Sequence, residues 1–150
     1  SFTPTGWVAD MGECIRLEYD VDGTNFSSAG NASESVKRTL KQMGVDAASV
    51  RRVAIAMYEG EINMVIHAHG GKAVSEIYPD RIEICLQDSG PGIADIDLAM
   101  KAGYSTATEN IRSLGFGAGM GLPNMKKYSD EMRIESTVGV GTTVFLRINF

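Results

Sequence analysis

The order of strand-like and helix-like segments leaves few folds open to this chain. Its longest periodic segment, Ala47 to Ala68, carries apolar residues at helical spacing, begins after Asp46 and ends at Gly70 and Gly71. The other regular segments are helices at 31–43, 95–101 and 122–130, and strands at 14–21, 73–78, 82–86, 132–138 and 142–148. This order is not a strict βαβ repeat. It predicts an α/β two-layer sandwich with a mixed sheet.

Length and composition predict one globular domain. The chain has 150 residues, of which 43% are hydrophobic and 22% charged. Its net charge of -5, with no basic tract, argues against nucleic acid or an anionic membrane as a partner. No apolar run reaches the ~20 residues that cross a bilayer, so we expect a cytoplasmic protein. Cys14 and Cys85 have no metal-type spacing and are expected to be buried, reduced thiols.

Three polar residues recur on the long helix. Glu59, Asn63 and His67 lie four residues apart, so they form one stripe that drifts slowly around the helix axis. A solvated polar face would explain the stripe. However, its neighbours are apolar, and a buried carboxylate without a partner is costly. The alternative is the wall of a pocket, where the amide oxygen of Asn63 would be a ligand for Mg²⁺.

Two further residues of this helix need an explanation. Gly60 costs ~1 kcal/mol relative to Ala in a helix, which predicts that another group approaches the backbone closely there. His67 and His69 could be read as a metal pair, but side chains two residues apart diverge on a helix. For the first helix, Asn31 or Ser33 is the expected N-cap and Gly44 the stop.

Three glycine-containing segments follow. In Asp88-Ser-Gly-Pro-Gly-Ile93, a carboxylate at a strand end suits an exocyclic amine, although a plain turn would use the same residues. The alternate glycines of 115–121 run into a helix start and suit phosphate, or form a hinge; they match neither the Walker nor the dinucleotide pattern. Gly139-Val-Gly141 predicts a hairpin turn, after which Thr142 could present its hydroxyl to a base.

Together the four motifs resemble those of the GHKL ATPases, in order and spacing. The ExxxN helix resembles the N box, DSGPGI the G1 box, GFGAGMGL the G2 box and GTTV the closing Thr motif. Within that superfamily the chain looks most like the anti-sigma-factor serine/threonine kinases and RsbT-like switch kinases, from about Ile15 to Phe150. The resemblance implies the Bergerat ATP-binding fold, with a mixed, mostly antiparallel sheet covered on one face by helices. It also implies a kinase domain at 14–150 after a loose extension at 1–13, with an ATP lid at about 94–118.

The resemblance carries roles onto matching positions of this chain. Glu59 corresponds to the general base, Asn63 to the Mg²⁺ ligand and Asp88 to the adenine-binding carboxylate. His67 corresponds to a histidine of many relatives, which supports the residues that touch the nucleotide. The remaining residues implied in ATP binding are Gly90, Gly92, Ile93, Gly117, Gly119, Met120, Gly121, Leu122 and Thr142.

The function that the resemblance implies is a regulatory protein kinase. With ATP and Mg²⁺ it would phosphorylate Ser or Thr of a STAS-domain antagonist or scaffold. A sigma factor would be a further partner, and the chain could form a homodimer, as its relatives often do. Two alternatives stay open: an ATP-dependent binding switch without transfer, and an ATPase module of a larger assembly.

Overall fold

The computed structural model describes residues 14–101 and 121–150. The expected N-terminal extension, and most of the expected lid, lie outside these ranges. In chain order the elements are β1 (Ile15–Asp22), a 3-10 turn (Phe26–Ser28), α1 (Asn31–Gln42), α2 (Ala47–Ala68), β2 (Gly70–Ile77), β3 (Arg81–Gln87), α3 (Ile96–Ala99), α4 (Gly121–Lys127), β4 (Glu131–Thr137) and β5 (Gly141–Asn149). Among the described residues, no helix is long and apolar enough to cross a membrane.

The five described strands form one sheet in the order β1-β2-β3-β5-β4. All four of their pairings are antiparallel. The expected two-layer α/β sandwich is therefore confirmed. We expected a mixed, mostly antiparallel sheet, and the described pairings are all antiparallel. The order places β3 and β5 side by side, so the chain segments after β3 and before β5 meet at one end of the sheet.

The core lies between the helices and one face of the sheet. Fully buried side chains from α1, α2, α4 and the three central strands meet there; they include Leu40, Met57, Met125, Ile84 and Leu146. Strand residues alternate between the two faces, which is why the apolar side chains of β3 and β5 recur every second position on the helix side. Burial along most of α2 explains its length, since both α1 and α4 pack against it.

Gly60 lies where α2 crosses β3. A Cβ built at this position would come within 2.1 Å of Leu86 Cδ1. The close approach predicted from the sequence is therefore real, but the approaching group is a core side chain and no ligand is needed to explain the glycine.

The start of α1 differs from the expectation. The N-cap is Gly30, with φ of 100°, and neither Asn31 nor Ser33 supplies a side-chain cap. Instead the buried carboxylate of Glu61 on α2 accepts hydrogen bonds from the backbone N–H groups of Gly30 (2.9 Å), Ala32 (3.2 Å) and Ser33 (2.6 Å). The orphan donors of a helix start are thus satisfied by another helix, and α1 is anchored to α2.

The end of α2 is also capped differently. The helix stops at Ala68 as predicted, but the residue in the left-handed conformation is His69, with φ of 60°, rather than a glycine. Its N–H donates to the carbonyl of Met64. The chain needs Gly70 immediately afterwards because a Cβ there would lie 2.3 Å from the Val21 carbonyl oxygen of β1.

On the other face of the sheet, a row of charged side chains crosses all five strands. The strand registers align Arg16, Glu76, Glu83, Arg147 and Glu131 across β1, β2, β3, β5 and β4. Arg16 pairs with Glu76 at 3.1 Å, and Arg147 with Glu131 at 2.7 Å. We call these five residues the charged row.

The two cysteines differ in their environments. Cys85 is buried beside Val74 and Phe145 on the face of the charged row, and burial raises the pKa of its thiol to about 11. Cys14 is exposed, so the expectation of two buried thiols is wrong for it. It precedes the edge strand β1, in which exposed residues alternate with partly buried ones from Arg16 onward.

Candidate functional site

The polar stripe of α2 faces the start of α4. Glu59, Asn63 and His67 are each half-buried, whereas their neighbours on both sides are mostly buried apolar residues. A Cβ at Gly121, the first residue of α4, would lie 2.7 Å from the Asn63 Oδ1. The Asn124 Nδ2 donates to the Glu59 Oε1 at 3.4 Å. The stripe is therefore part of a contact between two helices and is not a fully solvated face.

Asp88 stands at the end of β3 with one oxygen fixed by backbone. Its Oδ1 accepts from the N–H of Gly90 at 2.9 Å and of Thr142 at 3.1 Å. Its own N–H donates to the Thr142 carbonyl at 2.9 Å. In the part of the chain that the structure describes, no group donates to Oδ2. The carboxylate is thus held in a fixed orientation with one oxygen able to accept a donor from a ligand.

Thr142 belongs to a small hydroxyl network. Its Oγ1 lies 2.8 Å from the Ser136 Oγ, which also accepts from the Ile93 N–H at 2.7 Å. Ser136 pairs with Thr142 across β4 and β5. The network ties the segment after β3 to the hairpin of β4 and β5, so Asp88, Ile93 and Thr142 form one unit.

Ser136 is a site residue that the sequence motifs did not predict. A hairpin turning at 138–140 places residue 136 opposite residue 142, so the register of that hairpin was the signal that could have found it.

Gly90 and Gly92 allow protein groups to pack closely. A Cβ at Gly90 would lie 2.6 Å from the Ala68 Cβ at the end of α2. Gly92 has φ of 79°, and a Cβ there would lie 2.5 Å from the Thr137 carbonyl oxygen. The glycines of this segment thus bring the end of β3 against both α2 and the β4–β5 hairpin.

His67 links the stripe to Asp88. Burial lowers the pKa of its imidazole, and the nearby Asp88 carboxylate opposes that shift. Burial therefore favours the neutral form of the ring over the charged form. His69 acts through its backbone at the helix end, and the described residues contain no group of three or more His, Cys, Asp or Glu that could hold a metal.

The remaining predicted residues divide into two groups. Gly121 and Leu122 open α4, beside Asn63 and against the core respectively. Gly117, Gly119 and Met120 lie outside the described residues. The structure thus brings Glu59, Asn63, His67 and Asp88 along one side of α2.

Comparison with known proteins places this arrangement in a family. The profile described as "Histidine kinase-like ATPase domain" matches residues 25–148. The chain belongs to this family. The matched region contains the α2 stripe, the segment after β3 and the β4–β5 hairpin, which are the parts that form the site.

Relatives of this histidine kinase-like ATPase domain span nearly the same length. The serine/threonine-protein kinase RsbT of Bacillus subtilis is 31% identical over 135 residues, which cover 87% of this chain and 91% of RsbT. The anti-sigma F factor of Clostridium novyi is 30% identical over 142 residues, covering 91% and 94%. That of Caldanaerobacter subterraneus is 32% identical over 122 residues, covering 75% and 82%.

Proposed function

We propose that this chain is an ATP-dependent regulatory kinase, which transfers the γ-phosphoryl group of ATP to a Ser or Thr of a STAS-type partner protein. The observation that carries the proposal is the position of Glu59. It lies on the same helix as Asn63 and His67, and it faces the start of α4. The other end of the stripe, at His67, lies beside Asp88. A nucleotide would then bind with its phosphates toward Glu59 and its base toward Asp88.

Asp88 would bind the adenine. Because Oδ1 is held by two backbone N–H groups, Oδ2 is oriented to accept from the exocyclic amine. Thr142, joined to Ser136, would add a hydroxyl to the same base. Both are parts of the rigid sheet end, so the base would be bound without rearrangement of these groups.

Glu59 would act on the attacking hydroxyl. The partner's Ser or Thr oxygen forms a bond to the γ-phosphorus, the bond from that phosphorus to the ADP oxygen breaks, and the hydroxyl proton passes to the Glu59 carboxylate. Asn124, which donates to the Glu59 Oε1, would keep one oxygen of the base oriented. Neutral His67 adds no positive charge that would weaken the base.

Asn63 fits a magnesium ligand by its chemistry. Its amide Oδ1 is a hard oxygen donor on the side of α2 that faces the start of α4, where it packs closely against Gly121. When bound, Mg²⁺ would neutralise part of the phosphate charge. With Glu59 proposed as the base, Asn63 would be the protein ligand within the stripe, and the other ligands would come from phosphate and water.

The test is phosphoryl transfer from γ-labelled ATP with Mg²⁺ to a purified STAS-domain protein. We expect labelled partner, a loss of at least about 100-fold in Glu59→Gln, and ATP affinity within about threefold of the parent for that variant. Asp88→Asn should lose ATP binding itself. Glu34→Gln, an exposed carboxylate on α1, is the control and should change neither.

A binding switch is the second candidate. It is favoured by the relatives named anti-sigma F factor, because that name refers to action on a sigma factor. Under this function Glu59→Gln would keep nucleotide-dependent control of a partner, and the parent would label no STAS protein. Absence of ATP and ADP binding in calorimetry would overturn both functions.

A further inference from the structure

A groove between α1 and α2 carries a charge opposite to that of the whole chain. Lys37 and Lys41 of α1 and Arg51 of α2 line it, above a floor that includes Val45, Val50 and Ile55. Its volume is about 490 Å³. None of its lining residues is acidic. We call this surface the cationic groove.

The local excess of positive charge is large for an acidic protein. Five of the chain's 14 Lys and Arg residues lie between 37 and 52, whereas Asp46 is the only acidic residue there. Asp46 is committed to capping α2, since its carboxylate accepts from the Ser49 N–H. Arg52 is also committed, to Asp130 and to the Asn149 carbonyl. Arg38 does not line the groove, so the cations left to face it are Lys37, Lys41 and Arg51.

The shape of the groove suits a helix rather than an extended polyanion. Its α2 side extends from 47 to 55, which is about 12 Å of helix. Its floor is apolar, and Met43, 41% exposed, lies at the end of α1 close to Val45 in sequence. An amphipathic helix would bury apolar residues on the floor and place carboxylates against the three cations. Nucleic acid would use neither the floor nor so short a row of cations.

The groove lies apart from the candidate active site. Glu59 faces α4, whereas the groove lies on the α1 side of α2 and nearer the start of that helix. A partner in the groove would therefore leave the nucleotide pocket open.

We infer that the cationic groove docks an acidic amphipathic helix of a partner protein. The surface offers steering by charge and a modest apolar contact, which is typical of a transient regulatory interaction. The inference does not depend on phosphoryl transfer, so it stands or fails separately from the proposed kinase activity.

The probe is a fluorescein-labelled synthetic peptide of about 18 residues, with Leu at helical spacing on one face and Glu elsewhere. We expect saturable binding to the full chain by fluorescence anisotropy. The triple variant Lys37→Glu/Lys41→Glu/Arg51→Glu should bind at least about tenfold more weakly. A matched triple variant with the same change in net charge, Arg38→Glu/Lys72→Glu/Arg133→Glu, alters exposed cations outside the groove and should stay within about threefold.

Three further results decide the inference. A peptide of the same composition with Leu and Glu shuffled should not compete, because it lacks an apolar face. Equal weakening in the two triple variants, or equal binding of the shuffled peptide, would show unspecific charge attraction and overturn the inference. Binding to phosphatidylglycerol vesicles that needs the groove, without peptide binding, would assign the surface to lipid instead. If the triple Glu variant loses its helical circular dichroism, the corresponding triple Gln variant takes its place with the same expectation.

Discussion

Gly60 shows how one missing methyl group can fix the distance between two layers. The helix passes so close to β3 that Leu86 occupies the position of the absent Cβ. The same glycine directly follows the catalytic candidate Glu59 in the chain, so its packing against Leu86 also sets how far the stripe stands from the sheet.

We predict that Gly60→Ala destabilises the fold by about 1–3 kcal/mol, because overpacking outweighs the ~1 kcal/mol that Ala gains in a helix. Urea unfolding followed by circular dichroism measures the free energy of unfolding. Leu86→Ala alone should cost about 2–5 kcal/mol, and the double variant should cost less than the sum because each change relieves the other. A more stable Gly60→Ala protein would mean that helix propensity, and not contact with Leu86, governs this site.

At the scale of elements, α1 depends on a residue from another helix. Gly30 provides no side-chain cap, so the first N–H groups of α1 rely on the Glu61 carboxylate. Apolar spacing predicted both helices correctly. The expected caps of α1, Asn31 and Ser33, both belong to that helix itself. Glu61 follows Gly30 by 31 residues, and no local signal connects them.

We predict that Glu61→Ala costs about 2–4 kcal/mol, because three buried donors lose their acceptor. Glu61→Gln should cost less, since one oxygen remains. Hydrogen exchange should show faster exchange at the amides of Ala32 and Ser33, with the middle of α2 still protected. Glu34→Ala, an exposed acidic residue in the same first turn, is the control and should cost under about 0.5 kcal/mol. Equal costs for both Ala variants would contradict the anchoring role.

At the scale of the whole molecule, the charged row joins all five strands on the face away from the helices. Glu83 is 1% exposed, and within residues 14–101 and 121–150 its Oε2 has no hydrogen-bond partner. Burial raises the pKa of its carboxyl group, and Glu76 adds to this, whereas Arg81 opposes it. A raised carboxyl pKa stabilises the fold below the unfolded pKa of 4.5 and loses that contribution as pH rises through the folded value. Glu83 therefore costs stability at neutral pH.

We predict that Glu83→Gln is more stable than the parent at pH 7, by on the order of 1 kcal/mol, and that the difference shrinks at pH 4. Urea unfolding at the two pH values measures it. Glu131→Gln, which removes a half-exposed pair with Arg147, should change little at either pH. A less stable Glu83→Gln protein at pH 7 would mean that its pairing with Arg81 outweighs burial.

The grouping of three site residues was easier to predict than the order of the strands around it, and the roles of those residues stay predictions. Glu59, Asn63 and Asp88 stood out because polar residues in apolar surroundings need a reason, and their motifs keep fixed spacing. Strand order depends on which apolar faces meet, and alternation alone does not state it. The amide of Asn124 was missed because its partner lies far away in sequence: Asn124 and Glu59 are 65 residues apart. The hydroxyl of Ser136 was missed because it follows from the register of the β4–β5 hairpin, which places it opposite Thr142.

The bond between Asp88 and Thr142 has a consequence for how the protein folds. These residues are 54 positions apart, and they meet only when β3 has paired with β5. Closing that long connection costs entropy before it returns any contact energy. The end of the sheet proposed to bind adenine would thus form with the late, non-local part of the sheet, and partly folded chains would have no affinity for nucleotide. ATP in a refolding mixture would then leave the early steps unchanged and would stabilise only the finished molecule.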